Sequence, residues 1–267
     1  MTQHSPMQSA SPPPQPAGEP APMIWLDDVT MRYGSRVVLE RLQLQVPPGK
    51  VTVVMGGSGH GKSTILKLIV GFMRPEAGRI WIDGQNVLEL DDAERLEVQK
   101  KIGMSFQYSA LFDSMTVYEN CAFPLREHTR LREPEIQERV REVLGRLGLP
   151  GSEDKMPSDL SGGMKKRVGV ARAIMLQPKI MLFDEPESGL DPITTTSIGE
   201  LIISMRDVFH ITCLVISHNL DNTMRIGDKV CMLYKGRLIA EGTPDELHAN
   251  PDPVLQQFLH GRAAGPY

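Results

Sequence analysis

The stretch Gly56-Gly57-Ser58-Gly59-His60-Gly61-Lys62-Ser63-Thr64 fits the pattern G-x-x-x-x-G-K-[ST]. Its residue types suit an oligophosphate. Glycines let successive backbone amides close around phosphate oxygens as an anion nest. A helix beginning at the end of the loop adds its positive N-terminal end. Lys62 can reach β- and γ-phosphates, and Ser63 can ligate Mg²⁺. His60 fills a variable position in this binding loop and is assigned no chemistry of its own.

A second chemical signal is the apolar run Ile180-Met181-Leu182-Phe183 leading into Asp184-Glu185. A buried strand that ends in acids places them at the C-terminal edge of a parallel sheet, where α/β proteins bind ligands. Asp184 is then suited to hold Mg²⁺, directly or through water, and Glu185 to polarise an attacking water as general base. A further glycine-rich stretch, Leu160-Ser161-Gly162-Gly163-Met164, leads into a helix expected to start at Lys165-Lys166-Arg167. One chain needs one phosphate cradle, so the second calls for an explanation.

The elements that must position these groups read as alternating strands and helices, which implies a mostly parallel sheet. Met23–Lys50 suits short strands with a turn at Tyr33-Gly34-Ser35. Val51–Met55, Ile180–Phe183 and Ile211–Ile216 are continuous apolar or β-branched runs, as in strands buried on both faces. A helix is expected to carry Ile65, Leu66, Leu68, Ile69 and Phe72 on one face. Another carries Ile136, Val140, Val143, Leu144 and Leu147, with Pro134 in its first turn. Thr243-Pro244-Asp245-Glu246 combines a capping box with proline at the first helical position. Residues 1–22, with Pro12–Pro14, hold too little apolar surface to offset ordering entropy and read as a disordered tail.

Taken with Gln107, Ser188-Gly189-Leu190-Asp191 and His218, these motifs closely resemble the nucleotide-binding domain of ABC ATPases over residues 24–250, all in the family's order. The resemblance implies an α/β P-loop NTPase with a RecA-like core, an antiparallel β subdomain and an inserted α-helical subdomain at roughly 108–175. It leaves a domain at 23–250 and a short C-terminal tail at 251–267, in which any embrace of a neighbouring subunit is short or absent. It also implies that Tyr33 stacks on adenine and that Gln107 contacts Mg²⁺ and the lytic water while sensing a membrane partner. His218 would contact the γ-phosphate. Ser161, Gly162 and Gly163 would bind the γ-phosphate held by a second copy of the chain, with Asp191 at that interface. The chain departs from the family's usual pattern at Glu187, where many relatives carry a neutral residue, and at Gly57, where proline is usual.

The segment Tyr108–Asn120 leading into Phe123-Pro124-Leu125-Arg126-Glu127-His128-Thr129 is similar to the permease-binding groove of transporters, with Leu111, Phe112, Met115 and Phe123 as its apolar lining. The phrase at 124–129, with Leu160–Arg167 and Leu233-Tyr234-Lys235-Gly236, resembles the ATPases of Mla-type phospholipid transport systems. That implies a permease dimer, an MCE-domain lipid carrier and often a small STAS-domain protein as partners. It also implies a peripheral place on the cytoplasmic face of a bacterial inner membrane. A soluble ATPase of iron–sulfur cluster assembly is the alternative. A nucleotide kinase would leave the second glycine loop and His218 without a purpose.

Composition agrees with these expectations. A hydrophobic fraction of 40% and a charged fraction of 23% are ordinary for a globular chain of 267 residues. The formal net charge of −4 argues against a dedicated nucleic-acid binder. No apolar run reaches the ~20 residues that span a bilayer, and the N-terminus has no secretory pattern. The expected place is therefore the cytoplasm, with membrane association through a partner. Cys121, Cys213 and Cys231 show no metal-ligand spacing and read as reduced thiols.

Overall fold

The computed structural model describes residues 20–267, so most of the tail expected at 1–22 lies outside the described residues. A hairpin of β1 (Ile24–Tyr33) and β2 (Arg36–Val46) turns at Gly34 and leads to β3 (Val51–Met55) and α1 (Lys62–Ile69). Next come β4 (Ala77–Ile82), β5 (Gln85–Asn86), α2 (Asp92–Gln99) and β6 (Ile102–Ser105). Three helices, α3 (Val117–His128), α4 (Glu133–Arg146) and α5 (Gly162–Ile174), separate β6 from β7 (Ile180–Asp184). The chain closes with α6 (Pro192–Asp207), β8 (Thr212–Ser217), α7 (Leu220–Ile226), β9 (Lys229–Tyr234), β10 (Arg237–Gly242), α8 (Pro244–Ala249) and α9 (Pro253–Leu259).

Two sheets result. The smaller is antiparallel, in the order β2-β1-β4-β5, and the larger runs β10-β9-β3-β8-β7-β6. Within the larger, β9, β3, β8, β7 and β6 are parallel and only β10 is antiparallel. The expected apolar strands are therefore its centre, with every residue of β3 and β8 buried. Alternate residues feed two cores. Val53, Met55, Phe183 and Val215 face the side that α5, α6 and α7 cover through Val168, Ile202 and Ile226, and α3 and α4 extend the same core through Cys121 and Val140. Val54, Leu182 and Leu214 face Leu26 and Leu44 of the antiparallel sheet.

The register of the parallel strands fixes where the chemistry sits. Met55 pairs with Ser217 and Asp184 with Ile216, so β3, β7 and β8 all end at one edge. The loop after β3, the acids after β7 and His218 after β8 emerge there together.

Some sequence expectations shift. The helix after the second glycine stretch starts at Gly162 rather than Lys165, because Ser161 accepts the Met164 N–H at 3.3 Å and caps it. Phe72 lies beyond the end of α1 and is 70% exposed, so it does not join the buried face of Ile65, Leu66, Leu68 and Ile69. Residues 251–267, read as a tail, contain α9, whose Leu255 is fully buried in the core. The capping box at Thr243 forms with both of its bonds, Glu246 N–H to Thr243 Oγ1 and Thr243 N–H to Glu246 Oε2.

One buried polar side chain shapes the segment after β6. Asn120 has no solvent exposure; its amide nitrogen lies 3.0–3.1 Å from the carbonyls of Phe112, Met115 and Thr116. Its oxygen accepts the Phe112 N–H at 2.9 Å. Replacing it strands these backbone groups away from water. Asn120→Leu should lower the unfolding free energy by about 1–3 kcal/mol in a denaturant titration. An unchanged midpoint and slope would contradict that role.

Candidate nucleotide site

The loop 56–61 is built by backbone shape. Gly56, Gly59 and Gly61 take φ values of 149°, 77° and 104°, a region that side chains resist. A Cβ on Gly56 would lie 2.3 Å from the Leu233 carbonyl oxygen, and one on Gly61 would lie 2.9 Å from that of Val38. The loop therefore sits tight against β9 and β2. Gly61 caps α1 with no side chain, which leaves the first amides of the helix open to an anion.

Lys62 is only 5% exposed. Its ammonium donates to the carbonyls of Gly56 and Gly57 at 2.8 and 2.9 Å and lies 4.0 Å from Glu185 Oε1. Burial pushes its pKa below the ordinary lysine value, and Glu185, then Asp184, pull it back. Ser63 donates its hydroxyl to Asp184 Oδ1 at 3.2 Å. Burial also holds the Asp184 carboxyl above its usual range; the Ser63 bond opposes this, and the Glu185 charge adds to it. Glu185 has a φ of 44°, strained for a non-glycine residue, and its N–H donates to the Ile216 carbonyl at 2.9 Å. Its Oε2 lies 3.3 Å from His218 Nδ1.

Lys62, Ser63, Asp184, Glu185 and His218 thus meet at one sheet edge, beside a cavity of about 450 Å³. Tyr33, Arg36, Val38, Ser58, Gly59, Gly61, Ser63 and Thr64 line that cavity with Lys62 and Glu185. Tyr33 stands at its rim, 46% exposed, with its hydroxyl on the Met73 sulfur. Hard oxygens from Ser63 and Asp184, held side by side, make a donor set that fits Mg²⁺.

Other expected site residues lie elsewhere. Gln107 does not line the cavity; its amide donates to Ser188 Oγ at 3.1 Å, and Lys166 donates to its carbonyl. The His60 ring turns away from the cavity and packs on Tyr234 and Tyr267, with centroids at 5.3 and 5.6 Å. Ser161, Gly162, Gly163 and Asp191 form a separate surface. A Cβ on Gly162 would lie 3.4 Å from Leu190, and one on Gly163 would meet Thr194 at 2.7 Å. Asp191 caps α6 through the N–H groups of Ile193 and Thr194, and the Thr194 hydroxyl above all holds its carboxyl below the usual range.

Sequence reasoning missed Arg36 and Val38 at the cavity, and Tyr267 behind the loop. The Tyr267 ring packs on Phe258, Tyr234 and His60, and its hydroxyl occupies the space a side chain on Gly57 would need, 2.1 Å from a Cβ there. The replacement of the usual proline by Gly57 was the signal.

The family described as ABC transporter matches residues 39–188. The chain belongs to that family. It is 43% identical over 243 residues to the probable ribonucleotide transport ATP-binding protein mkl of Mycobacterium tuberculosis, covering 91% of this chain and 68% of that one. It is 42% identical over 246 residues to the intermembrane phospholipid transport system ATP-binding protein MlaF of Escherichia coli K12, covering 92% and 91%. Among solved structures, cbiO1 from Clostridium perfringens, part of an ABC transporter complex, superposes with a TM-score of 0.80 at 30% identity, covering 91% and 96%. The ATP-binding cassette MJ0796, solved as a post-hydrolysis dimer with ADP and Pi, gives 0.75 at 30% identity, covering 83% and 99%. The chain is an ABC ATPase with the cassette fold.

The raised Asp184 pKa has a testable sign. The native state keeps the Asp184 proton to a higher pH than the unfolded chain does, so its burial destabilises the protein above both pKa values and not below them. In EDTA and without nucleotide, Asp184→Asn should therefore melt higher than the unmodified chain at pH 7, by a few degrees at most. The gap should close toward about pH 4. A lower midpoint at neutral pH would contradict this reading.

Proposed function

We propose that the chain is the ATP-hydrolysing subunit of a phospholipid transporter, acting as two copies on the cytoplasmic face of a bacterial inner membrane. The observation that carries the transport part is an open groove of about 530 Å³ beside the Gln107 segment. Leu96 of α2, Phe106, Phe112, Phe123 and Leu176 line it, with Phe112 and Phe123 rings 5.2 Å apart and both more than a third exposed. Of the four apolar residues expected there, Leu111 instead packs against the core, and Met115 is not among the lining. Exposed aromatics in a concave site suit an inserted helix of a partner. Among the described residues no helix is long and apolar enough to cross a membrane, so a permease partner would supply that part.

The chemistry follows from the site residues. Lys62 would exchange its Gly56 and Gly57 carbonyl partners for β- and γ-phosphate oxygens, and Tyr33 would take the adenine face. Ser63 and Asp184, with Gln107 turned in from Ser188, would hold Mg²⁺, which neutralises phosphate charge when bound. Glu185 would accept a proton from water as that water adds to the γ-phosphorus and the bond to the ADP oxygen breaks. His218, already beside Glu185, would reach the γ-phosphate. Ser161, Gly162, Gly163 and Asp191 lie on a surface apart from their own loop, which suits completion of a second copy's site.

MlaF and mkl carry names with different cargo. We take the phospholipid reading because the MlaF relatives match over 91–92% of their own length. An MCE-domain lipid carrier and a STAS-domain protein complete the expected assembly. An ATPase of iron–sulfur cluster assembly would leave the aromatic groove unexplained.

Purification from detergent-solubilised native membranes, followed by mass spectrometry, tests this reading. A polytopic permease and an MCE-domain protein should co-purify. Recovery only from the soluble fraction, with cluster-assembly scaffolds, would contradict it.

A further inference from the structure

Glu187 is a charged side chain in an unusual place. It is 5% exposed and lies beside the acid pair, yet it does not line the nucleotide cavity. Its Oε1 accepts the Ser217 hydroxyl at 2.6 Å, while its Oε2 is buried with no hydrogen-bond partner. A buried carboxylate with one oxygen unpartnered is costly unless cationic charge offsets it. Lys166, itself 6% exposed, is drawn to it through space: Glu187 attracts it more than Asp184 or Glu185 does, with no direct ion pair between the two. Those two acids face the nucleotide side and would be engaged there. Glu187 is free to serve as the standing counter-charge of Lys166.

Both neighbours lead to residues of the hydrolytic reaction. Ser217 ends β8, and its oxygen, besides donating to Glu187, accepts the Asn219 N–H at 3.0 Å. The turn so closed contains His218, whose Nδ1 lies 3.3 Å from Glu185. Asn219 then caps α7 by accepting the Asn222 N–H at 2.9 Å. On the other side, the Lys166 ammonium donates to the carbonyl of Gln107, whose own side chain rests on Ser188, next to Glu187. Hydrogen bonds thus join Glu187 to the His218 turn through Ser217 and join Gln107 to Ser188, the next residue, while Lys166 couples to Glu187 by charge alone.

We propose that Glu187 is a positioning residue for ATP hydrolysis, fixing the His218 turn through its Ser217 bond and balancing the buried charge of Lys166 that holds the Gln107 carbonyl. It ties the segment next to the partner groove to the residue expected at the γ-phosphate. The inference rests on the hydrolytic reading of the site. A neutral residue at 187 could take the Ser217 bond but could not balance Lys166, so both halves are needed for the link.

The test is steady-state ATPase kinetics on the full chain purified with its native partners, alongside the dissociation constant of a fluorescent ATP analogue. Glu187→Gln keeps an acceptor for Ser217 but removes the charge. It should lower kcat by about tenfold while KM for ATP and the analogue constant stay within about twofold. Ser217→Ala removes the hydrogen bond and keeps the charge, and should lower kcat by about threefold with the same unchanged binding. Lys166→Met combined with Glu187→Gln should be no slower than the worse single variant, because the two act as one unit.

A Glu187→Gln protein with kcat within about twofold of the unmodified chain would overturn the proposal. So would losses that multiply in the double variant, or a loss of nucleotide affinity as large as the loss in kcat. If Glu187→Gln does not fold, Ser217→Ala decides, and an unmodified kcat there overturns the proposal. Absence of turnover in the unmodified chain would instead remove the hydrolytic reading, and the inference with it.

Discussion

The nucleotide site depends on keeping one ammonium group dry and aimed. Lys62 is almost fully buried, and no sheet or helix bond orients its side chain. Two loop carbonyls and the Glu185 carboxylate do so. Burying a lone cation is costly, so the fold must bring acceptors and anions to the same place. The parallel register achieves this by ending β3, β7 and β8 together. The antiparallel sheet contributes Tyr33, Arg36 and Val38 to the wall of the same cavity.

The same arrangement leaves the resting site poised rather than relaxed. Lys62 and Asp184 are both shifted toward their neutral forms by burial, and Glu185 has a backbone in the left-handed region. These costs fall on residues whose charges phosphate and metal would satisfy. The second glycine stretch does not line this cavity, and Gly162 and Gly163 lie against Leu190 and Thr194; in the proposed two-copy arrangement it serves the other chain's site. Turnover would then require two copies, which places hydrolysis under the control of whatever moves them together.

The parts of the fold governed by local chemistry were readable in the residues. Val51–Met55 reads as a buried strand because its run is continuously apolar or β-branched. The helix at Pro134 and the one capped by Thr243 were visible through capping and proline chemistry, which act within a few residues. Less legible was whatever depends on partners far along the chain. Tyr267 reaches the phosphate loop across more than two hundred positions, and the one mark of the contact, Gly57, stands at its far end. Phe72 fits the helical period on paper, yet the helix stops at Ile69 and leaves it in solvent. In the site, Lys62, Ser63, Asp184, Glu185 and His218 came together as motif chemistry implied. The Gln107 side chain was instead drawn to Ser188, a bond no spacing reveals.

The central claim is that each ATP site is completed by a second copy, and one mixing experiment tests it most directly. Chains with Lys62→Ala keep the Ser161 surface but lose the phosphate lysine; chains with Ser161→Arg keep the lysine and block that surface. Each alone should be inactive. A mixed dimer contains one site with both lesions and one with neither. Random pairing should therefore restore turnover up to about a quarter of the unmodified rate. No recovery in dimers shown to be mixed would contradict the account, because it would mean that Lys62 and Ser161 act within the same chain.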